Sequence, residues 1–268
     1  MAPDAIDHGG ELDLEGGPDA ALLLHGLTGS TFELFPVARR LRERGVRVLA
    51  PLLAGHGGSP RDLAGVPWTE WLAKARRDLA RLEGARRTLV VGCSTGALLG
   101  CALASELPAR VDGLALLAPA LELRLAGRIA AALGRLPLLR ERIVPKGSGS
   151  DVSDPEMRRR NRCMDGVPLA AVAELAALAA HVARLLPAVT APALVVQGGH
   201  DHTVTLAGAR RIARRIGSGP AELVVLPRSW HLVGIDVERV RCADLVAGFL
   251  EGLPTKGRGA APRATRTR

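Results

Sequence analysis

Residues 92–96, Gly92-Cys93-Ser94-Thr95-Gly96, form a G-x-S-x-G pattern. A serine hydroxyl is a weak nucleophile until it is exposed, oriented and paired with a base. A sharp strand-to-helix turn does the orienting, and small residues two before and two after the serine let the backbone fold that tightly. Thr88–Gly92 reads as a buried apolar strand and Thr95–Leu107 as a helix, so Ser94 falls at the turn between them. A glycine-rich βα turn with an incidental serine spells the same letters, so the other parts of an acyl-transfer site must be found. Cys93 is no rival nucleophile, because successive side chains diverge at such a turn.

A base is the next requirement. Of the seven histidines, His231 lies just past the last strand candidate, in Arg228-Ser229-Trp230-His231. A loop at a strand end can carry its imidazole over the sheet to Ser94. The imidazole in turn needs an acid to set its tautomer. Asp201, in Gln197-Gly198-Gly199-His200-Asp201-His202, directly follows the strand candidate Ala193–Gln197. Asp236 is the rival acid, but five residues past His231 it suits a cap on the final helix. His200, Asp201 and His202 also raise a metal site, yet three neighbours in one loop cannot all aim at one ion. Neither a metal nor another cofactor is expected. Oxyanion donors complete the set: the Leu27 N–H in His25-Gly26-Leu27-Thr28-Gly29-Ser30 and the Thr95 N–H at a helix N-terminus. His25 reads as a structural residue.

Those side chains need a scaffold. Short apolar runs at Glu11–Glu15, Ala20–His25, Val46–Ala50, Thr88–Gly92, Val111–Leu117, Ala193–Gln197 and Glu222–Leu226 alternate with amphipathic stretches. Phe35, Ala38 and Leu41 recur at helical spacing, as do Trp68, Trp71, Leu72, Ala75, Leu79 and Leu82; residues 95–107 and 236–251 behave likewise. This alternation predicts an α/β fold with a mostly parallel central sheet flanked by helices. It breaks once. Residues 121–190 hold helical stretches (Leu125–Leu133, Pro155–Met164, Leu169–Leu186), a Gly/Ser connector at Lys146–Ser150 and no convincing strand. They read as a small helical cap over the C-terminal edge of the sheet, where open α/β sheets hold ligands. The expected organisation is a core of 1–120 and 191–254, a cap of 121–190 and a disordered basic tail of 255–268.

Composition narrows the function. The 268 residues are 47% hydrophobic, 24% charged and 2% aromatic, which excludes a disordered or collagen-like chain. The net charge of +9 invites a nucleic-acid reading, but residues 1–20 carry six acids without Lys or Arg, and 255–268 carry five bases without an acid. The remaining charge is spread over helical surfaces, and with no tyrosine the base-stacking platforms of single-strand binders are missing, so no nucleic-acid partner is expected. Arg158–Arg162 reads as a solvated helix face. No run of roughly 18 apolar residues stands out as a membrane span, so stable membrane insertion is not expected. The N-terminal stretch is acidic where a signal peptide is basic, and four cysteines without framework spacing read as reduced thiols. A cytoplasmic protein is the expectation.

Taken together, ALLLHGLTGS at 21–30, PLLAGHGGSP at 51–60, GCSTG at 92–96, VVQGGHDHTV at 195–204 and Ser229–His231 resemble the α/β-hydrolase superfamily, in its carboxylesterase and monoacylglycerol-lipase branch. The resemblance spans Leu12 to Leu250. It implies Ser94 as nucleophile, Asp201 as acid, His231 as base, Leu27 and Thr95 as oxyanion donors, and a structural His56. Leu27 stands where the branch commonly has an aromatic residue, and Cys93 and Thr95 replace its usual neighbours of the serine. With aromatics scarce, the acyl pocket should be aliphatic. The expected activity is hydrolysis of short-to-medium acyl esters or monoacylglycerols through an acyl-enzyme. A thioesterase, lactonase or C–C bond hydrolase is the nearest alternative, and a non-catalytic ligand-binding member of the fold the next.

Overall fold

A computed structural model describes residues 7–147 and 149–255; most of the basic tail lies outside the described residues. Among the described residues seven strands build the main sheet: β1 (Leu12–Leu14), β2 (Asp19–Leu24), β3 (Arg47–Ala50), β4 (Arg87–Cys93), β5 (Gly113–Leu117), β8 (Ala193–Gly198) and β9 (Glu222–Leu226). Their order is β1-β3-β2-β4-β5-β8-β9, with β1 antiparallel to β3 and every other pair parallel. The central strands are apolar on both faces because both are covered. Leu22, Leu24, Val90 and Val195 face a layer containing α3 (Trp68–Ala80), α4 (Thr95–Glu106), α7 (Leu169–Leu185) and α8 (Leu206–Arg215). The alternating residues Leu23, Leu89, Val91 and Val196 face α1 (Phe35–Glu43) and α9 (Arg239–Gly252). All seven sheet strands lie where the apolar runs placed them, give or take two residues.

At the N-terminal edge of the sheet an ion cluster locks the frame. Asp19, opening β2, accepts from Arg86 at 2.9 and 2.6 Å and from Arg87 at 3.2 and 2.7 Å. Arg87 also donates to the Leu253 carbonyl at the end of α9 at 2.9 Å. The two guanidinium groups hold the Asp19 carboxyl well below the usual carboxylate range.

Between β5 and β8 the chain leaves the sheet through α5 (Leu125–Leu133), α6 (Pro155–Arg160) and α7, and α5 packs on α7. Two findings depart from expectation. The segment does hold strands: β6 (Ile143–Pro145) pairs antiparallel with β7 (Gly166–Pro168). At three residues each they are too short to show an alternation. In addition, α6 stops at Arg160 instead of Met164, because the chain turns extended at Asn161 and the Met164 N–H donates to the Thr28 carbonyl at 2.9 Å. A short helix α2 (Pro60–Ala64) precedes α3. Contrary to the expectation that no run reaches membrane-spanning length, residues 169–188 form a helical stretch long and apolar enough to do so; half of that apolar run is buried inside the protein.

Candidate active site

Ser94 sits between β4 and α4 with φ 53° and ψ −108°. That left-handed backbone is costly for a residue with a Cβ. The turn closes tightly: a Cβ on Gly92 would lie 2.3 Å from the Gly96 backbone, and one on Gly96 would lie 2.0 Å from the Leu24 carbonyl oxygen. Only glycine fits either place, which accounts for both ends of the G-x-S-x-G pattern. Backbone bonds from Ser94 N–H to the Leu117 carbonyl at 2.8 Å and from Ala120 N–H to the Ser94 carbonyl at 3.3 Å fix the elbow to the neighbouring strand end.

His231 and Asp201, 137 and 107 positions further along the chain, meet Ser94 there. The Nε2 atom of His231 is 3.0 Å from Ser94 Oγ, and Nδ1 is 2.8 Å from Asp201 Oδ2. Asp201 is itself held. Its Oδ1 accepts from the Thr203 and Val204 N–H groups, each at 2.8 Å, and its Oδ2 also accepts from Gln197 Nε2 at 2.7 Å. All three residues are buried. Burial pushes the Asp201 carboxyl up, but the His231 charge and hydrogen bonds outweigh it and the net direction is down. For His231, burial pushes down while Asp201 pushes up, and the net direction is up. An imidazole with Nδ1–H on a carboxylate presents a bare Nε2 to the serine hydroxyl, the arrangement that removes a proton from it.

The loop after β2 presents the next part. Three consecutive amides behave differently: Gly26 N–H donates to Glu33 Oε2 at 2.8 Å, Thr28 N–H donates to His56 Nε2 at 3.2 Å, and the Leu27 N–H between them has no acceptor among the described residues. His25 Nδ1 binds the Gly26 carbonyl at 2.8 Å and its Nε2 accepts the Leu53 N–H at 3.0 Å. Burial drives both imidazoles down, His25 to about 3 and His56 to about 4, so both are neutral acceptors. His25 and His56 are structural, as expected. Leu27 lines a cavity of about 430 Å³ together with Ser94 and His231. Thr95 is the first residue of α4, so its amide is one of the N–H groups at that helix N-terminus, and it is not among the residues that line the cavity.

That cavity is aliphatic. Leu123, Ala126, Ala130, Val144, Val167, Leu169, Val172 and Leu175 line it, and no Phe or Trp among the described residues does. All eight lie between 121 and 190. Lys146, Ser150, Asp151, His202 and Thr203 add a polar side. Cys93, fully buried beside Ser94, has its thiol pushed far above its ordinary value, first by burial and then by the nearby Glu33. Among the described residues no three His, Cys, Asp or Glu side chains converge as metal ligands.

Asp236 occupies a different place from the expected cap, since α9 begins at Arg239 with Glu238 ahead of it. Its fully buried carboxylate accepts from Trp230 N–H at 2.7 Å, Ser153 N–H at 3.0 Å and Asp154 N–H at 3.0 Å. It therefore ties residues 153–154 to the His231 loop. Asp151 does the same for the Asp201 loop, accepting from His202 N–H at 3.0 Å and Thr203 Oγ1 at 2.8 Å. Sequence reading missed Glu33, Asp151 and Gln197: Asp151 meets partners 51 and 52 residues away, while Glu33 and Gln197 lie near theirs in sequence but carry no recognised motif.

A parallel sheet carrying a strained serine elbow, with its histidine and aspartate on later strand ends, defines an α/β-hydrolase. A family model described as serine aminopeptidase S33 (hydrolase 4) matches residues 18–238, and the chain belongs to that family. It is 28% identical to a thermostable monoacylglycerol lipase of Bacillus sp. (strain H-257) over 226 residues, covering 84% of this chain and 87% of that one. It is 26% identical to a carboxylesterase of Bacillus subtilis (strain 168) over 241 residues, 89% of this chain and 95% of that one. A solved structure from work on LipS and LipT, two metagenome-derived lipolytic enzymes, superposes with a TM-score of 0.84 at 28% identity, covering 91% of this chain and 97% of that chain.

Proposed function

We propose that this chain is a serine esterase acting on short-to-medium acyl esters or monoacylglycerols, with Ser94 as nucleophile, His231 as general base and acid, and Asp201 as the acid that holds the imidazole. The Leu27 and Thr95 amides serve as oxyanion donors. Ser94 Oγ attacks the ester carbonyl as Nε2 takes its proton, the amides stabilise the tetrahedral oxyanion, and His231 returns the proton to the leaving alcohol. Water then repeats the sequence on the acyl-enzyme. The observation that carries this reading is the 3.0 and 2.8 Å chain from Ser94 through His231 to Asp201. The ester hydrolases among its relatives favour the ester bond as the target.

Residues 121–190 act as the cap in this account and supply most of the aliphatic lining, so the acyl chain lies against Ala126, Ala130, Val172 and Leu175. A cytoplasmic setting is supported by four cysteines that are all free. Rates on p-nitrophenyl esters of graded chain length, set against monoacylglycerols, test the substrate class. The expected profile rises beyond acetate; activity confined to acetyl esters contradicts an acyl site in this cavity.

A further inference from the structure

Acidic side chains are seldom buried without a purpose-built partner. Glu33, in the 3-10 turn Thr31–Leu34, is 3% exposed and is no member of the Ser-His-Asp chain. Its Oε2 accepts the Gly26 N–H, and no described group donates to its Oε1. The carboxyl is seated against two glycines. A Cβ on Gly26 would lie 3.0 Å from Glu33 Oε2 and 3.3 Å from Ser94 Cβ, so Gly26 is clamped between the carboxyl and the serine. A Cβ on Gly29 would lie 2.0 Å from Oε1. On its backbone side Glu33 meets the His231 loop, where a Cβ on Gly234 would come within 2.5 Å of the Glu33 carbonyl oxygen. The same side chain lines the cavity that opens on Ser94.

The peptide plane joining Gly26 to Leu27 carries the Leu27 N–H opposite the Gly26 carbonyl. His25 holds that carbonyl, and Glu33 holds the amide on the other side of Gly26. Both ends of Gly26 are thus fixed, and with them the direction of the Leu27 amide. We propose that Glu33 is a positioning residue for ester hydrolysis: by gripping Gly26 between itself and Ser94, its carboxyl keeps the Leu27 amide aimed at the oxyanion. This rests on the roles given above to Ser94 and Leu27.

Glu33→Met removes the acceptor at similar volume, and Glu33→Gln keeps an acceptor oxygen. Loss of one oxyanion donor costs about 10²–10³ in kcat, and a misaimed donor costs part of that. Glu33→Met is therefore expected to lose about 30- to 300-fold in kcat, with KM within about threefold and weaker inhibition by an alkyl boronic acid in the same proportion. Glu33→Gln is expected to recover kcat to within about fivefold of the parent. A residue that only supported folding would not alter boronate affinity relative to KM. Gly29→Ala, which pushes the carboxyl off its seat, is the second variant should Glu33→Met not fold, with the same kcat-specific loss expected. Parental kcat and boronate affinity in the folded variant, or a loss that merely tracks the folded fraction, overturns the proposal. Ser94→Ala run alongside separates the two readings. If it is inactive while Glu33→Met is fully active, only the role of Glu33 fails; if it is active, the roles of Ser94 and Leu27 fail.

Discussion

Two buried aspartates flank His231, and replacing each by asparagine should have opposite consequences. Asp201 Oδ1 accepts two backbone N–H groups, and Oδ2 faces His231 Nδ1 and Gln197 Nε2. In Asp201→Asn the amide oxygen stays on the two backbone donors, because turning it would set its NH₂ against both. The NH₂ then faces Nδ1, which must accept, so the proton moves to Nε2 and points at Ser94. A histidine in that tautomer cannot take the serine proton. A loss of about 10⁴ in kcat is expected, equal to about 5.5 kcal/mol of transition-state stabilisation, with the fold retained. Asp236→Asn instead sets an NH₂ against backbone donors: Oδ2 accepts from Trp230 and Ser153, Oδ1 from Ser153 and Asp154. Two mismatched buried donors at about 1–3 kcal/mol each give a destabilisation of roughly 2–6 kcal/mol. Its kcat per folded molecule should stay within about tenfold of the parent, since no atom of Asp236 touches His231's ring. Urea unfolding and p-nitrophenyl butyrate kinetics, with active sites counted by burst titration, separate these outcomes. Equal kcat losses in two stable variants, or an Asp201→Asn enzyme within tenfold of the parent, refute the reasoning.

Further expectations follow from the same geometry. As the proposed base His231 must be neutral, and although burial pushes its pKa down, Asp201 raises it above the ordinary histidine value, so kcat/KM should fall on the acid side with a midpoint above that value; a pH–rate profile flat to pH 5 contradicts this. His25 and His56 have folded pKa values of about 3 and about 4. The unfolded chain therefore binds more protons below about pH 6.5, so stability is full above that pH and declines as it falls toward 4; urea midpoints across this range measure the decline, which His56→Asn should reduce. Asp19→Asn leaves the buried Arg87 guanidinium without its counter-charge and should cost roughly 3 kcal/mol with kcat unchanged, read by denaturant unfolding. The Thr95 hydroxyl is buried with no hydrogen-bond partner among the described residues, and the proposed oxyanion donor is the amide, so Thr95→Val should keep kcat within about threefold.

The sheet was legible because each central strand is buried on both faces, so runs such as LVVG and LALLA are unbroken by polar residues. The elbow at Ser94 was legible because its glycines meet a steric demand that operates over five residues. His231 and Asp201 were found by position alone, each just past a strand, and the structure brings both to Ser94. The anchors were not legible. Asp236 and Ser153 are 83 residues apart, Asp151 and Thr203 52 apart, and nothing in the surrounding letters marks either pair. Nothing in the letters around Glu33 marks it, and its burial follows from how the loop after β2 folds back on it. The β6–β7 pair escaped for a different reason, being three residues long where a period of two needs more to be seen.

The most direct test of the account is covalent. Treatment with a fluorophosphonate followed by peptide mass spectrometry should place a single adduct on Ser94, with no adduct and no p-nitrophenyl butyrate turnover in Ser94→Ala. An adduct on another residue, or hydrolysis by Ser94→Ala at the parental rate, would contradict it.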